Sequence, residues 1–308
     1  MLKKGKSIGM IHSGLFAGRS ARFQLLMLLF LVLSGSVVSL FISLGLPYVW
    51  PDSASSLYDS PDLLRLVQFF SAVCTFLLPS FGLAWLCSDR ISHYLALRPV
   101  MDCKVWLGAF CGIVLLLPVI SLFSWINQQM VLPSWLSSLE QWMRSQEELA
   151  QRLTDVLLSQ GGVVALAGNL FVVALMAAVT EEFLFRGCLQ RILQRHIANH
   201  HMAVWLAAFL FSAFHLQFFG FVPRLLLGAY LGYLLCWSRS IWLPVFAHFV
   251  NNALVVLMMS NDLLKQCDYV TGDFAVERLP YYVAVAVVAL VLFVWSQTQL
   301  HHRCMMQR

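Results

Sequence analysis

The 308-residue sequence is poor in charge. Lys, Arg, Asp and Glu together make up only 11%, where a soluble domain carries about 25%. With 60% hydrophobic residues and a mean hydropathy of +0.76, this shortage excludes a disordered chain. It also leaves more apolar side chain than a globule of this length can bury. Paired cysteine motifs are missing as well. The eight cysteines (74, 87, 103, 111, 188, 236, 267 and 304) form no C-x-x-C, which argues against a zinc ribbon or a thioredoxin-type site. They read as small apolar residues packed in helices. There is no internal repeat, no low-complexity tract and no H-E-x-x-H zinc helix. Val32-Leu33-Ser34-Gly35 lacks the first glycine of a G-x-S-G, and Thr271-Gly272-Asp273 has no second membrane aspartate to work with. What these absences leave is an all-α polytopic integral membrane protein, whose net charge of +5 reflects topology rather than nucleic-acid binding.

A membrane span needs about 20 apolar residues. By that measure eight are expected, at about Phe23–Leu46, Leu63–Cys87, Val105–Ile126, Gly162–Phe183, Met202–Phe219, Phe221–Trp237, Ile241–Met259 and Tyr281–Trp295. The first follows a basic start, but it is too long for a signal peptide and no A-x-A site follows, so it reads as an anchor. With a cytoplasmic N-terminus, that side collects Lys3, Lys4, Lys6, Arg19, Arg22, Arg90, Arg98, Lys104, Arg186, Arg191, Arg195, Arg239, Arg303 and Arg308, 14 of the 20 basic residues. Arg65, Arg144, Arg152, Arg224, Lys265 and Arg278 fall on the other side. The charge rule thus places both termini in the cytoplasm, and the expected location is a cell membrane, of the bacterial inner type.

The long loop from Gln128 to Gln160 is amphipathic. Trp135, Leu139, Trp142, Leu149, Leu153 and Val156 recur at helical spacing, while Glu140, Arg144, Glu147, Glu148 and Arg152 occupy other faces. The expected structure is a helix on the outer membrane surface with its tryptophans at headgroup level. The alternative is packing on another subunit. The chain then divides into a three-span N-terminal region (1–127), the extracytoplasmic amphipathic loop helix (128–160), a core (161–260), and a last loop, span and cytoplasmic tail (261–308). Gly108 and Gly112, and Gly228 and Gly232, are expected to allow close helix approach.

Ionisable groups inside spans are costly, so each is a functional candidate. Three clusters qualify, all in the second half. In Thr180-Glu181-Glu182-Phe183-Leu184-Phe185-Arg186-Gly187, Glu182 and Arg186 are four apart and can pair on one helix face. Glu181 points about 100° away and is free for other work. In Phe211-Ser212-Ala213-Phe214-His215, the ring of Phe211 can back the imidazole. In His248-Phe249-Val250-Asn251-Asn252, His248 and Asn252 share a face, and Asn251 reads as a helix-contact amide. A carboxylate, two imidazoles and an amide on three spans suit the activation of water and the stabilisation of an oxyanion. The same residue types leave open a zinc site held by Glu181, His215 and His248. The remaining histidines (12, 93, 196, 200, 201, 301 and 302) read as solvated surface.

Glu181-Glu182-x-x-x-Arg186, Phe211-x-x-x-His215 and His248-x-x-x-Asn252 together resemble the three motifs of the CPBP family, which comprises CAAX prenyl proteases of the Rce1 type and bacteriocin-processing (Abi) membrane proteins. Phe185-Arg186-Gly187 and the stretch from Gly228 to Asn252 resemble the family's flanking sequence, and the resemblance covers about residues 160–260. It implies an intramembrane endopeptidase working near the cytoplasmic face on a peptide or protein substrate, in some cases lipidated. Glu181 with His215 would activate water, His248 and Asn252 would form the oxyanion hole, and Glu182 with Arg186 would hold the first helix. No cofactor is expected, because Asn252 is a poor zinc ligand and a good oxyanion donor; zinc remains the alternative. The expected partners are the lipid bilayer, the substrate and a second copy of the chain, but no nucleic acid. The rival reading is a non-catalytic peptide-binding or immunity module on the same fold. A proton-relaying transporter is disfavoured by the absence of a repeat.

Overall fold

A computed structural model describes residues 14–49, 60–261, 263–271 and 274–306. Lys3, Lys4, Lys6, His12, Gly272, Asp273 and Arg308 lie outside the described residues. No strand occurs among those described. Among the described residues, seven helical stretches are long and apolar enough to cross a membrane, and the architecture is all-α and polytopic. The main helices are α1 (Ala21–Val49), α2 (Pro61–Cys87), α3 (Cys103–Gln128), α4 (Ser137–Leu158), α5 (Val163–His196), α6 (His200–Phe214), α7 (Phe221–Ser238), α8 (Trp242–Met259) and α9 (Leu279–Met306).

Local chemistry sets the ends. Ser60 caps α2, accepting from the Leu63 N–H, with Pro61 opening the helix. Asp102 caps α3 through the Lys104 N–H. Asn199 caps α6 through the N–H groups of His201 and Met202. Arg239 closes α7 in a left-handed conformation, φ 55°. Three expected boundaries move, and the last helix, expected to end at Trp295, runs on to Met306. The fourth helix does not stop at Phe183; it runs on to His196 because nothing after Gly187 breaks it, and a π-helical segment over Phe183–Gln190 absorbs the glycine. The fifth is shorter than expected, ending at Phe214 instead of Phe219, where the chain turns through Leu216 at φ 53°. Fifteen residues span only about 22 Å, so α6 is too short to cross the hydrocarbon core by itself.

Lipid tails are as apolar as leucine, so association of these helices relies on close packing and polar contacts. The outward faces of α1 and α9 leave Phe30, Leu33, Phe41, Val287, Val291 and Trp295 exposed, as a lipid-facing wall requires. Inside, beside two small clusters between α5, α6 and α7, are two large clusters of buried side chains. One joins α1, α2, α5 and α6 around Leu83, Tyr94, Phe185 and Phe211. The other joins α3 and α9 around Ile113 and Leu300. α7 and α8 contribute to both, which puts the third motif at the centre. The expected close approaches are present. A Cβ on Gly232 would stand 2.7 Å from Gln190 Oε1 and 2.9 Å from Val204, and one on Gly228 would stand 3.1 Å from Phe211.

The amphipathic helix forms as α4, although Trp135 lies in the 3-10 turn ahead of it. It is mostly exposed, and Leu157 is its one buried residue. Arg65, buried at the start of α2, ties the neighbouring segments together. It donates to Asn169 Oδ1 at 2.8 Å, to Gln160 Oε1 at 3.0 Å and to the Leu157 carbonyl at 3.2 Å, and it pairs with Asp62 at 2.5 Å.

Candidate active site

Glu181 lies fifteen residues before His196, and His215 lies fifteen residues after His200. The two helices meet at the intervening turn, so their like lengths carry both residues to a similar height, about 20 Å from it. Had α5 ended near Phe183, Glu181 and His215 would sit at different depths. His248 enters from α8, six residues beyond Trp242.

The expected pair within the first motif is present and buried. Arg186 NH1 donates to Glu182 Oε1 at 2.7 Å, with the two side chains 1% and 0% exposed. The guanidinium also donates to the Gly228 carbonyl at 3.0 Å and lies 4.4 Å from the centroid of Phe211. A charge in such a place needs all of these partners to offset its desolvation. The absence of a side chain at Gly228 lets the α7 backbone come close enough to supply one of them.

Glu182 does more than hold Arg186. Its Oε1 also accepts from Nδ1 of His248 at 2.8 Å. With Nδ1–H committed there, Nε2 is the free position of the ring, and it lies 3.9 Å from Oε2 of Glu181. Glu181 is the more open carboxylate, with 16% of its side chain exposed. The divergence of adjacent glutamates on a helix is realised, one turned inward to structure and one left available.

His215 caps the end of α6. Its Nδ1 donates to the Phe211 carbonyl at 2.9 Å, which again leaves Nε2 free, and its ring meets Phe211 edge-on at 5.0 Å. Phe211 is buried and also packs edge-on against His248 at 6.0 Å. One phenyl ring therefore backs both imidazoles and the Arg186 guanidinium. Glu181 and His248 are near enough to His215 for their charges to bear on it. Asn252 donates through Nδ2 to the Val173 carbonyl at 3.2 Å, within a π-helical segment of α5, and its Oδ1 accepts from Asn251 at 3.1 Å. The contact of Asn251 is thus with its neighbour.

Among the described residues, no group of three or more His, Cys, Asp or Glu side chains is placed to hold a metal ion. Glu181, His215 and His248 are neighbours, but they are not gathered into a ligand set.

Residues outside the motifs also take part. Arg224, counted from the sequence among the loop charges, falls inside α7. It donates to the carbonyl of Gln217 at 3.0 Å and to its Oε1 at 2.8 Å, and its charge bears on Glu181 and Glu147. The signal was an arginine three residues into an apolar helix. Arg224 and Asn251 also line a cavity of about 250 Å³ between α3, α7 and α8, whose walls are otherwise largely apolar, among them Ile120, Leu227, Val255 and Met259.

Residues 163–254 match the family described as Rce1-like, type II CAAX prenyl endopeptidase Rce1-like. The match spans all three motifs and supports the CAAX-protease resemblance. The uncharacterized protein YpbD of Bacillus subtilis (strain 168) is 28% identical over 89 residues, which cover 28% of this chain and 42% of that protein. The chain therefore covers less than half the length of that curated relative. No solved structure matches.

Proposed function

We propose, with the Rce1-like segment 163–254 as the premise, that the chain is an intramembrane endopeptidase. In this reading Glu181 and Nε2 of His215 hold a water. Its oxygen attacks the scissile carbonyl carbon while its proton passes to Glu181. The proton then goes to the departing amine as the C–N bond breaks. His248 carries its second proton on Nε2 and, with the remaining amide hydrogen of Asn252, donates to the oxyanion. Glu182 and Arg186 position His248 without touching substrate.

The observation that carries this reading is the Glu182–His248 hydrogen bond of 2.8 Å with Glu181 at 3.9 Å from the far ring nitrogen. It joins two motifs that are 66 residues apart around an open carboxylate, in a setting where water is scarce and dipoles are fixed. The reaction we propose is metal-free; with both termini cytoplasmic, the site lies about 20 Å from the cytoplasmic turn between α5 and α6 and next to α4, so in this reading cleavage is deep in the membrane and not near the cytoplasmic face. The apolar cavity beside Asn251 receives a side chain of the substrate.

Proteolysis in liposomes tests it. A library of internally quenched peptides, some lipidated, is offered to wild type, Glu181→Ala and His215→Ala, each with and without chelator. Cleavage by wild type that both substitutions abolish and chelator spares is the expected result. Loss to chelator and recovery with zinc would overturn the metal-free step. A Glu181→Ala protein that keeps its cellular effect would favour the peptide-binding module.

A further inference from the structure

The turn that follows His215 is held at successive residues by three different helices. Leu216 sits at φ 53°, a conformation that a branched side chain adopts only when its surroundings impose it. Next to it, the Gln217 carbonyl accepts from Arg224 of α7 at 3.0 Å. The Phe218 carbonyl accepts from Nδ2 of Asn127, the buried residue near the end of α3, at 2.7 Å. The remaining restraints come from the surface helix α4. Trp142 packs on Phe218 with ring centroids 5.7 Å apart. Arg144 lies 4.6 Å from the centroid of Phe219, and its other partner is Glu140, one turn back on α4. The carboxylate of Glu147 faces the backbone of Phe219 and the charge of Arg224.

This pattern is more than a helix resting on a loop. α6 is a short helix that ends one residue before His215, so the imidazole is not fixed by a continuing helix beyond it. Its Nδ1 and ring are held from one side by Phe211 of α6, while the backbone leaving it is a strained turn, and the α4 contacts fall on the two aromatic side chains of that turn. We propose that α4 is a brace for the His215 turn, with Trp142 and Arg144 as positioning residues that fix Phe218 and Phe219 and thereby set the imidazole of His215. The brace rests on the reading of His215 as a water-activating residue. It gives the amphipathic helix a part in the chemistry beyond contact with the membrane surface.

The test uses the full chain in lipid nanodiscs, comparing wild type, Trp142→Ala/Arg144→Ala, His215→Ala and, as a control on the same helix, the exposed Glu148→Ala. Steady-state cleavage should separate kcat from KM. The double variant is expected to lose about 10- to 100-fold in kcat, the scale of an ångström-sized misplacement, at unchanged KM and with only a small fall in melting temperature. Glu148→Ala should match wild type. Amide hydrogen exchange over residues 215–220 should accelerate in the double variant while the rest of α6 keeps its protection. Unchanged kcat, or a rise in KM alone, overturns the brace. Full activity in His215→Ala instead overturns the reading of the site. If no peptide is cleaved, the exchange measurement decides, and protection of 215–220 equal to wild type overturns the brace.

Discussion

Glu182 and His248 are joined by a 2.8 Å hydrogen bond from the ring Nδ1 to the carboxylate Oε1, the same oxygen that accepts from Arg186 at 2.7 Å. One carboxylate oxygen therefore organises the first and third motifs together, and it decides which ring nitrogen of His248 turns towards Glu181.

Because Nδ1 and Nε2 have different tasks, the two amide replacements of His248 should behave differently. Asn places its amide near the Nδ1 position, and Gln places its amide near Nε2. His248→Asn is expected to keep the bond to Glu182 and melt close to wild type while losing cleavage. His248→Gln is expected to melt lower, because the Glu182 oxygen loses a partner. Melting curves in detergent beside peptide cleavage check both; equal melting temperatures for the two would contradict the assignment of Nδ1.

The buried pair Glu182–Arg186 should be far more expensive to halve than to delete. Arg186→Met leaves an uncompensated carboxylate and should cost about 3–5 kcal/mol, as should Glu182→Leu. The double replacement should cost clearly less than the sum of the two. A double-mutant cycle on unfolding measures this, and simple additivity would mean that the charges do not depend on each other.

Two carboxylates of α4 should act oppositely on stability as pH changes. Burial raises the pKa of Glu147, the charge of Arg224 and the backbone of Phe219 offsetting this in part. A raised carboxyl binds protons more readily folded than unfolded, so its contribution improves as pH falls through the folded value and worsens as pH rises above the ordinary value of 4.5. Glu140 is the reverse. The side chain of Arg144 and the Leu132 N–H hold its pKa down, so its contribution is present above 4.5 and fades as pH drops through the lower folded value. Glu147→Gln should therefore raise the melting temperature at neutral pH, and Glu140→Gln should lower it. Melts between pH 4 and 8 would reveal the two signs, and a common sign for both would refute this account.

At Gly232 an added methyl group meets Gln190 and Val204 at 2.7 and 2.9 Å. Gln190 cannot swing aside freely, because it is buried and its Nε2 donates to the Gly232 carbonyl at 3.0 Å. Gly232→Ala should cost about 1–3 kcal/mol, the usual range for overpacking. Gly45, with open space around its Cβ position, is the control, and Gly45→Ala should melt no lower than wild type.

Much of the architecture was legible in the sequence because lipid imposes a one-dimensional rule. A span must be long, apolar and internally hydrogen-bonded, and a polar side chain inside it must have a reason to be there. That rule singled out Glu181, Glu182, Arg186, His215, His248 and Asn252 as candidates, and the i,i+4 spacing alone paired Glu182 with Arg186. Helical periodicity likewise announced α4 from Trp142, Leu149 and Val156. What periodicity does not carry is contact between helices. The bond from Glu182 to His248, the shared backing of two imidazoles by Phe211, and the hold on Gln217, Phe218 and Phe219 by Arg224, Asn127 and α4 all join residues distant in sequence. They depend on helix rotation and depth, and the depth was set by the length of α5 beyond Phe183. The side-chain types were therefore written in the chain, while their partners were decided only when the helices packed.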